Sequence, residues 1–148
     1  MKVSDLMTKK VIAVSPEDMV DKVFILFHFE GIRHLPVVTD KGSLVGIISD
    51  RDIKKVLGPR RTPYVQQDGT VSGVSARKVR TIMRRQPTTI GPNEKATVAA
   101  AIMVKRKIGG LPVIRNKKLV GIITATDILK AFVDLSNTVD TFCQSQER

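Results

Sequence analysis

Leu44-Val45-Gly46-Ile47-Ile48-Ser49-Asp50-Arg51-Asp52-Ile53 returns later in the chain as Leu119-Val120-Gly121-Ile122-Ile123-Thr124-Ala125-Thr126-Asp127-Ile128. Glycine, two isoleucines, a hydroxyl and an aspartate keep their spacing in both copies. The likeness extends outward from this block. Leu35-Pro36-Val37-Val38 meets Leu111-Pro112-Val113-Ile114, Val14-Ser15-Pro16 meets Ile90-Gly91-Pro92, and Leu6-Met7 meets Ile82-Met83. The register slips by one residue where Thr39-Asp40-Lys41-Gly42-Ser43 faces Arg115-Asn116-Lys117-Lys118. That is the composition of a hairpin turn, where a change of length costs little. The chain is therefore built from two copies of one small unit.

Within each copy the hydrophobic period changes in order. Ser15-Pro16-Glu17-Asp18 has the makings of a helix start, with Ser15 as N-cap and acids near the positive dipole end. Val20, Val23, Phe24 and Phe27 follow at helical spacing until Gly31. The second copy starts at Gly91-Pro92-Asn93-Glu94, runs through Ala96, Ala99, Ala100 and Met103, and ends near Gly109. Its small alanines predict a closely packed face. Two short apolar runs come next, Leu35–Val38 with Leu44–Ile48 and Leu111–Ile114 with Leu119–Ile123, as expected of buried strands. A second helix starts at Ser49 or Thr124. The expected fold is mixed α/β (α+β): two pseudo-symmetric repeats, each strand-helix-strand-strand-helix. The expected boundaries are 1–57 and 79–135 for the repeats, 58–78 for a basic linker and 136–148 for a C-terminal tail.

The 148 residues carry 25 Lys and Arg against 14 Asp and Glu, a formal charge of +11. Such an excess attracts nucleotides, nucleic acid or an acidic protein without choosing among them. No helix-turn-helix, zinc-finger spacing or aromatic RNA-binding signature accompanies it, so nucleic-acid binding would be salt-sensitive and nonspecific. Few aromatics predict an aliphatic core. No apolar run reaches membrane-spanning length and no signal-peptide pattern opens the chain, which leads to the expectation of a cytoplasmic protein with no membrane association. The one cysteine, Cys143, has no intrachain partner for a disulfide or a multi-cysteine metal site. Gly58–Lys78 lacks an apolar period and reads as a mobile linker. Arg60 and Arg61 within it are either solvated or within reach of a ligand.

Ser49 and Asp52 stand where a strand enters a helix, where free N–H groups and the helix dipole favour an anion. An aspartate there can accept both hydroxyls of a ribose, and a Ser or Thr three residues earlier can donate to a hydroxyl or phosphate oxygen. The same pattern is a capping box that needs no ligand, and the two roles are compatible. Gly46 and Gly121 leave room for a ligand to approach the backbone. The copies differ in charge. Arg33-His34 faces Gly109-Gly110 and Asp50-Arg51 faces Ala125-Thr126, so a phosphate would find more donors in the first copy. Unequal affinities follow. Arg51 as a solvated first-turn side chain and His34 as a packed or surface residue are the competing readings.

The order of elements, with Leu-Pro-Val-Val and Gly-Ile-Ile-Ser/Thr-x-x-Asp in duplicate, resembles a tandem pair of cystathionine-β-synthase (CBS) domains over about Val3–Leu57 and Val79–Phe132. The resemblance implies two units paired through their sheets, with two clefts binding AMP, ADP, ATP or S-adenosylmethionine. Position by position it implies Asp52 and Asp127 at ribose, with Ser49 and Thr124 beside ribose and phosphate. It also implies Arg51, Thr126 and Arg33 as neighbours of the ligand. Backbone groups of Lys10, Val11 and Ile12, and of Pro87 and Thr88, would meet adenine. His34 and Pro36, with Gly110 and Pro112, would form cleft walls.

An enzyme is not expected. There is no Ser-His-Asp logic, no His/Cys/carboxylate metal set and no glycine-rich phosphate loop, hence no catalytic residue, metal or cofactor beyond a regulatory ligand. With no other domain in the sequence, the expectation is a stand-alone, non-catalytic adenine-nucleotide sensor that signals to a protein partner or to its own copy. Ile128, Leu129, Phe132, Val133 and Leu135 would pack either on a second subunit, giving a homodimer, or into the chain's own core. A basic nucleic-acid-binding or protein-interaction scaffold is the alternative.

Overall fold

The computed structural model describes residues 1–57, 64–68, 70–72 and 76–146. In chain order the elements are helix α1 (Val3–Leu6), helix α2 (Val20–Glu30), strands β1 (His34–Val38) and β2 (Leu44–Ser49), helix α3 (Asp50–Leu57), and strands β3 (Tyr64–Val65) and β4 (Val71–Ser72). A 3-10 turn (Val79–Thr81), strand β5 (Arg84–Arg85), helix α4 (Ala96–Arg106), strands β6 (Gly110–Arg115) and β7 (Lys118–Thr124), and helix α5 (Ala125–Gln146) complete it. This is the mixed α+β architecture expected from the repeats.

The elements gather into two compact units. One joins Lys10–Thr88 with Asn116–Leu119; the other joins Met1–Lys9 with Thr89–Arg115 and Val120–Arg148. Each unit thus contains the leading segment of the other repeat. Val79 is fully buried in the Asp52 unit with Val14, Val20, Val23, Leu35, Val37, Ile48 and Ile53. Val3 is fully buried in the Asp127 unit with Ile90, Ala99, Met103, Leu111, Val113 and Ile123. These residues give the units the aliphatic cores that the composition predicted, and Ala99 lies on the closely packed face expected of the alanine-rich helix.

Backbone hydrogen bonds fix the exchanged segments. Val79 N donates to Asp18 O at 2.8 Å and Val20 N, at the start of α2, donates to Arg77 O at 2.9 Å. In the other unit Val3 N donates to Glu94 O at 2.9 Å, and Ala96 N, at the start of α4, to Met1 O at 3.1 Å. A carbonyl from the exchanged segment therefore satisfies one of the orphan N–H groups of each helix.

This moves the helix starts from where the sequence placed them. α2 begins at Val20 after Met19, not at Ser15. Ser15 is spent on its own turn: its N–H donates to Asp18 Oδ2 at 2.8 Å and its Oγ accepts from Glu17 N at 3.2 Å. Likewise α4 begins at Ala96, and it ends before Lys107, which adopts a left-handed cap at φ 54° where a glycine near 109 was expected. The leading strand of each repeat shrinks to one parallel bridge, Val14 to Val37 and Ile90 to Val113.

β1 and β2 are antiparallel, pairing His34 with Ser49 and Val37 with Gly46, and β5 pairs with the far edge of β2 through Gly46–Arg85 and Ile47–Arg84. β6 and β7 form the corresponding sheet, edged by a Thr8–Ile122 bridge. The room beside each glycine is filled by protein, correcting the expectation of ligand access. A Cβ on Gly46 would lie 2.6 Å from Met83 Sδ, and one on Gly121 would lie 2.5 Å from Met7 Sδ.

Within the segment read as a linker, Tyr64–Ser72 and Val65–Val71 pair as a two-stranded ladder. Lys78 closes an ion pair with Glu17 at 2.6 Å. Arg60 and Arg61 lie outside the described residues. The segment after 135 continues α5 through Gln146. Among the described residues no helix is long and apolar enough to cross a membrane.

Candidate functional site: two hydroxyl–aspartate corners

Ser49 closes β2 and Asp52 lies in the first turn of α3. Both are buried, at 6% and 7% exposure. Ser49 donates from its backbone N and its Oγ to Asp52 Oδ2, each at 2.8 Å. Thr124 does the same for Asp127 Oδ2, again at 2.8 Å for both, and its Oγ1 accepts from Asp127 N at 3.4 Å. One carboxylate oxygen in each corner is thus committed to capping the helix. Capping leaves the second oxygen to do something else, so the two roles weighed from the sequence are compatible in geometry.

The second oxygens differ. Asp52 Oδ1 accepts from Arg84 Nε at 3.2 Å, a pair between a nearly buried carboxylate and a half-exposed guanidinium. Asp127 Oδ1 accepts from no donor among the described residues. Arg84 was not singled out in the sequence. The available signal was its place in the repeat: Met83-Arg84 stands where the first copy has Met7-Thr8.

The other residues named from the sequence differ in burial and in the elements that carry them. His34 is opposite Ser49 in the β1–β2 ladder, while Arg33 and Arg51 are exposed. Arg33 O accepts from Asp50 N at 3.1 Å and Gly109 O from Ala125 N at 2.9 Å, so the turn before each hairpin caps the following helix. Pro36 and Pro112 are fully buried and Gly110 is buried at the start of β6, whereas Thr126 is exposed. Lys10, Val11 and Ile12, and Pro87 and Thr88, lie in irregular chain ahead of the Val14 and Ile90 bridges. No group of three His, Cys, Asp or Glu that could hold a metal occurs among the described residues.

Desolvation pushes the His34 imidazole below its ordinary value, with Arg84 and Arg51 acting in the same direction and Asp50 and Asp52 opposing them. The folded state therefore prefers neutral His34. As pH falls below about 6.5, the ordinary imidazole value, the unfolded chain takes up this proton first and stability declines until the folded histidine also titrates. Urea denaturation between pH 7.5 and 5 is expected to show a smaller loss in His34→Asn than in the parent. Equal slopes would remove His34 as the cause.

Each helix-entry corner, a hydroxyl paired with a carboxylate, thus lies in a unit whose sheet is edged by the exchanged segment, through Arg84 in one and Thr8 in the other. The family model for the CBS domain matches residues 3–59 and 79–134. The chain belongs to the CBS domain family. Among its relatives, a CBS domain-containing protein of Dictyostelium discoideum is 30% identical, the alignment covering 93% of this chain and 94% of that one. The MJ1225 protein of Methanocaldococcus jannaschii is 37% identical over 88% of this chain but only 46% of its own length. This chain thus spans less than half of that relative.

Solved structures agree with this CBS fold. The CBS domain pair of protein MJ0100, solved with 5′-methylthioadenosine and S-adenosyl-L-methionine, superposes with a TM-score of 0.76 at 29% identity, covering 90% of this chain and 97% of that one. CBSX2, solved with AMP, gives 0.74 at 27% identity, covering 91% and 98%.

Proposed function

We propose that this CBS domain chain is a cytoplasmic, non-catalytic regulatory protein that binds adenosine-containing ligands at the Asp52 and Asp127 corners. AMP, ADP or ATP is the expected regulatory ligand, with S-adenosylmethionine the other adenosine class. The observation that carries the reading is the duplicated corner: in each, one aspartate oxygen is tied to a Ser or Thr, while the other accepts from Arg84 Nε at Asp52 and from no donor among the described residues at Asp127. The AMP, methylthioadenosine and S-adenosylmethionine held by the similar CBS proteins support the class of ligand.

The mechanism is linkage. A ligand that binds one conformation better raises its population, and a partner reading that surface senses the change. The partner is proposed to be a protein, and the regulatory unit a homodimer formed through the apolar seam of α5. The high positive charge favours anionic ligands without specifying them.

Thermal unfolding with each ligand tests the reading. A ligand at a hundred times its dissociation constant is expected to stabilise the fold by about 2.7 kcal/mol. The Asp52→Ala, Asp127→Ala double variant is expected to remain folded and lose that response. Salt-sensitive binding to duplex DNA, without any nucleotide response, would replace the sensor with a nucleic-acid-binding scaffold.

A further inference from the structure

The two corners accept ribose on unequal terms. Asp52 Oδ2 already takes both Ser49 donors, and Oδ1 takes Arg84 Nε. A ribose diol asks for two acceptor positions, and with Arg84 in place only part of one oxygen is left. Asp127 Oδ2 is committed in the same way to Thr124, but its Oδ1 receives no donor among the described residues.

The equivalent positions explain the contrast. Arg84 pairs with Ile47 along the sheet edge, as Thr8 does with Ile122. The Asp52 unit carries Arg33, His34, Asp50, Arg51 and Arg84 where the matching positions of the Asp127 unit are Gly109, Gly110, Ala125, Thr126 and Thr8, which carry no charge.

We propose that Arg84 makes the Asp52 corner selective for phosphorylated adenosine ligands, because its guanidinium gives up Asp52 only to a ligand that offers a phosphate in exchange. The Asp127 corner takes adenosine ligands that lack phosphate. This inference rests on the nucleotide-binding reading above and assigns a ligand class to each of its sites. A guanidinium moving from carboxylate to phosphate keeps a charge-assisted partner throughout. With an uncharged nucleoside it must give up the carboxylate and gains only water.

Isothermal titration of the full chain with AMP and with 5′-methylthioadenosine tests this. The parent is expected to bind methylthioadenosine at one site, abolished by Asp127→Ala and kept in Asp52→Ala, and to bind AMP at a site abolished by Asp52→Ala. Arg84→Thr, which copies the other repeat, is expected to open a second methylthioadenosine site and to weaken AMP about tenfold or more there. Thr8→Arg is the reciprocal variant, expected to weaken methylthioadenosine binding at Asp127. A merely structural Arg84 would not change stoichiometry, and thermal melting verifies that each variant folds.

Two equivalent methylthioadenosine sites in the parent, or unchanged AMP affinity and stoichiometry in Arg84→Thr, would overturn the selectivity while leaving the sensor intact. No binding of either ligand to any variant would overturn both.

Discussion

Gly46→Val and Gly121→Val are each expected to cost about 3 kcal/mol of folding stability, read from the urea midpoint at constant slope. The cause is local. An added Cβ at Gly46 meets Met83 Sδ at 2.6 Å and the Arg84 carbonyl oxygen at 3.0 Å; at Gly121 it meets Met7 Sδ at 2.5 Å and the Thr8 carbonyl oxygen at 3.0 Å. Methionine is flexible and can turn its sulfur aside. The carbonyl cannot withdraw without straining the edge pairing, Ile47 with Arg84 or Ile122 with Thr8. Valine adds two methyls to the collision. Replacing Met83 with Ala in the Gly46→Val background is expected to restore part of the loss but not all, since the backbone contact remains. A Gly46→Val protein as stable as its parent would show that β5 yields freely. The exchanged edge would then be too soft to hold Arg84 in place.

The parts of the fold written in local pattern were legible. Paired apolar runs around turn residues marked the two hairpins, and a hydroxyl three residues before an aspartate marked both corners. What escaped was non-local. Val3 and Val79 head equivalent segments of the two copies, and nothing in either says which core will bury it. The helix starts were misplaced for the same reason. Ser15 is a good N-cap by type, yet the α2 N-terminus is completed by Arg77 O from the segment leading the second repeat. Glycine conservation between the two copies suggested open space, whereas its cause is a methionine drawn from the exchanged segment.

The candidate site shows the same division. Aspartate and hydroxyl are neighbours in sequence, so their contact could be anticipated. Arg84 reaches Asp52 only because β5 joins the edge of β2, a pairing that residue order alone does not reveal. The charge contrast at Arg33-His34 and Asp50-Arg51 was visible, but the arginine that reaches the carboxylate oxygen is Arg84, which is outside that contrast.

Phe132→Asp with Phe142→Asp is expected to convert a dimer into a monomer, raising the dissociation constant more than about a hundredfold in sedimentation equilibrium. α5 runs to Gln146, and Ile128, Phe132, Leu135, Val139 and Phe142 recur along it at alternating steps of four and three, the spacing of a helix-pairing seam. Phe132 is 65% exposed, Leu135 52%, Val139 59% and Phe142 63%, so the chain's own core does not claim them. Ile128, at the start of the seam, packs partly against the Asp127 unit, which answers the core-burial reading for that residue alone. The outermost positions opposite the seam are Lys130, Asn137 and Gln144, and small residues flank it at Ala131, Ser136, Thr138 and Cys143. A second copy can therefore approach without burying a charge. An exposed apolar stripe of this length is costly for an isolated chain in water, and each phenylalanine buried on pairing contributes about 1.5–3 kcal/mol. Aspartates on the seam would replace that gain with desolvation and like-charge repulsion, while the corners and the cores stay untouched. A parent that sediments as a monomer at high concentration would remove the dimer from the mechanism, and a double variant that still dimerises would place the interface elsewhere.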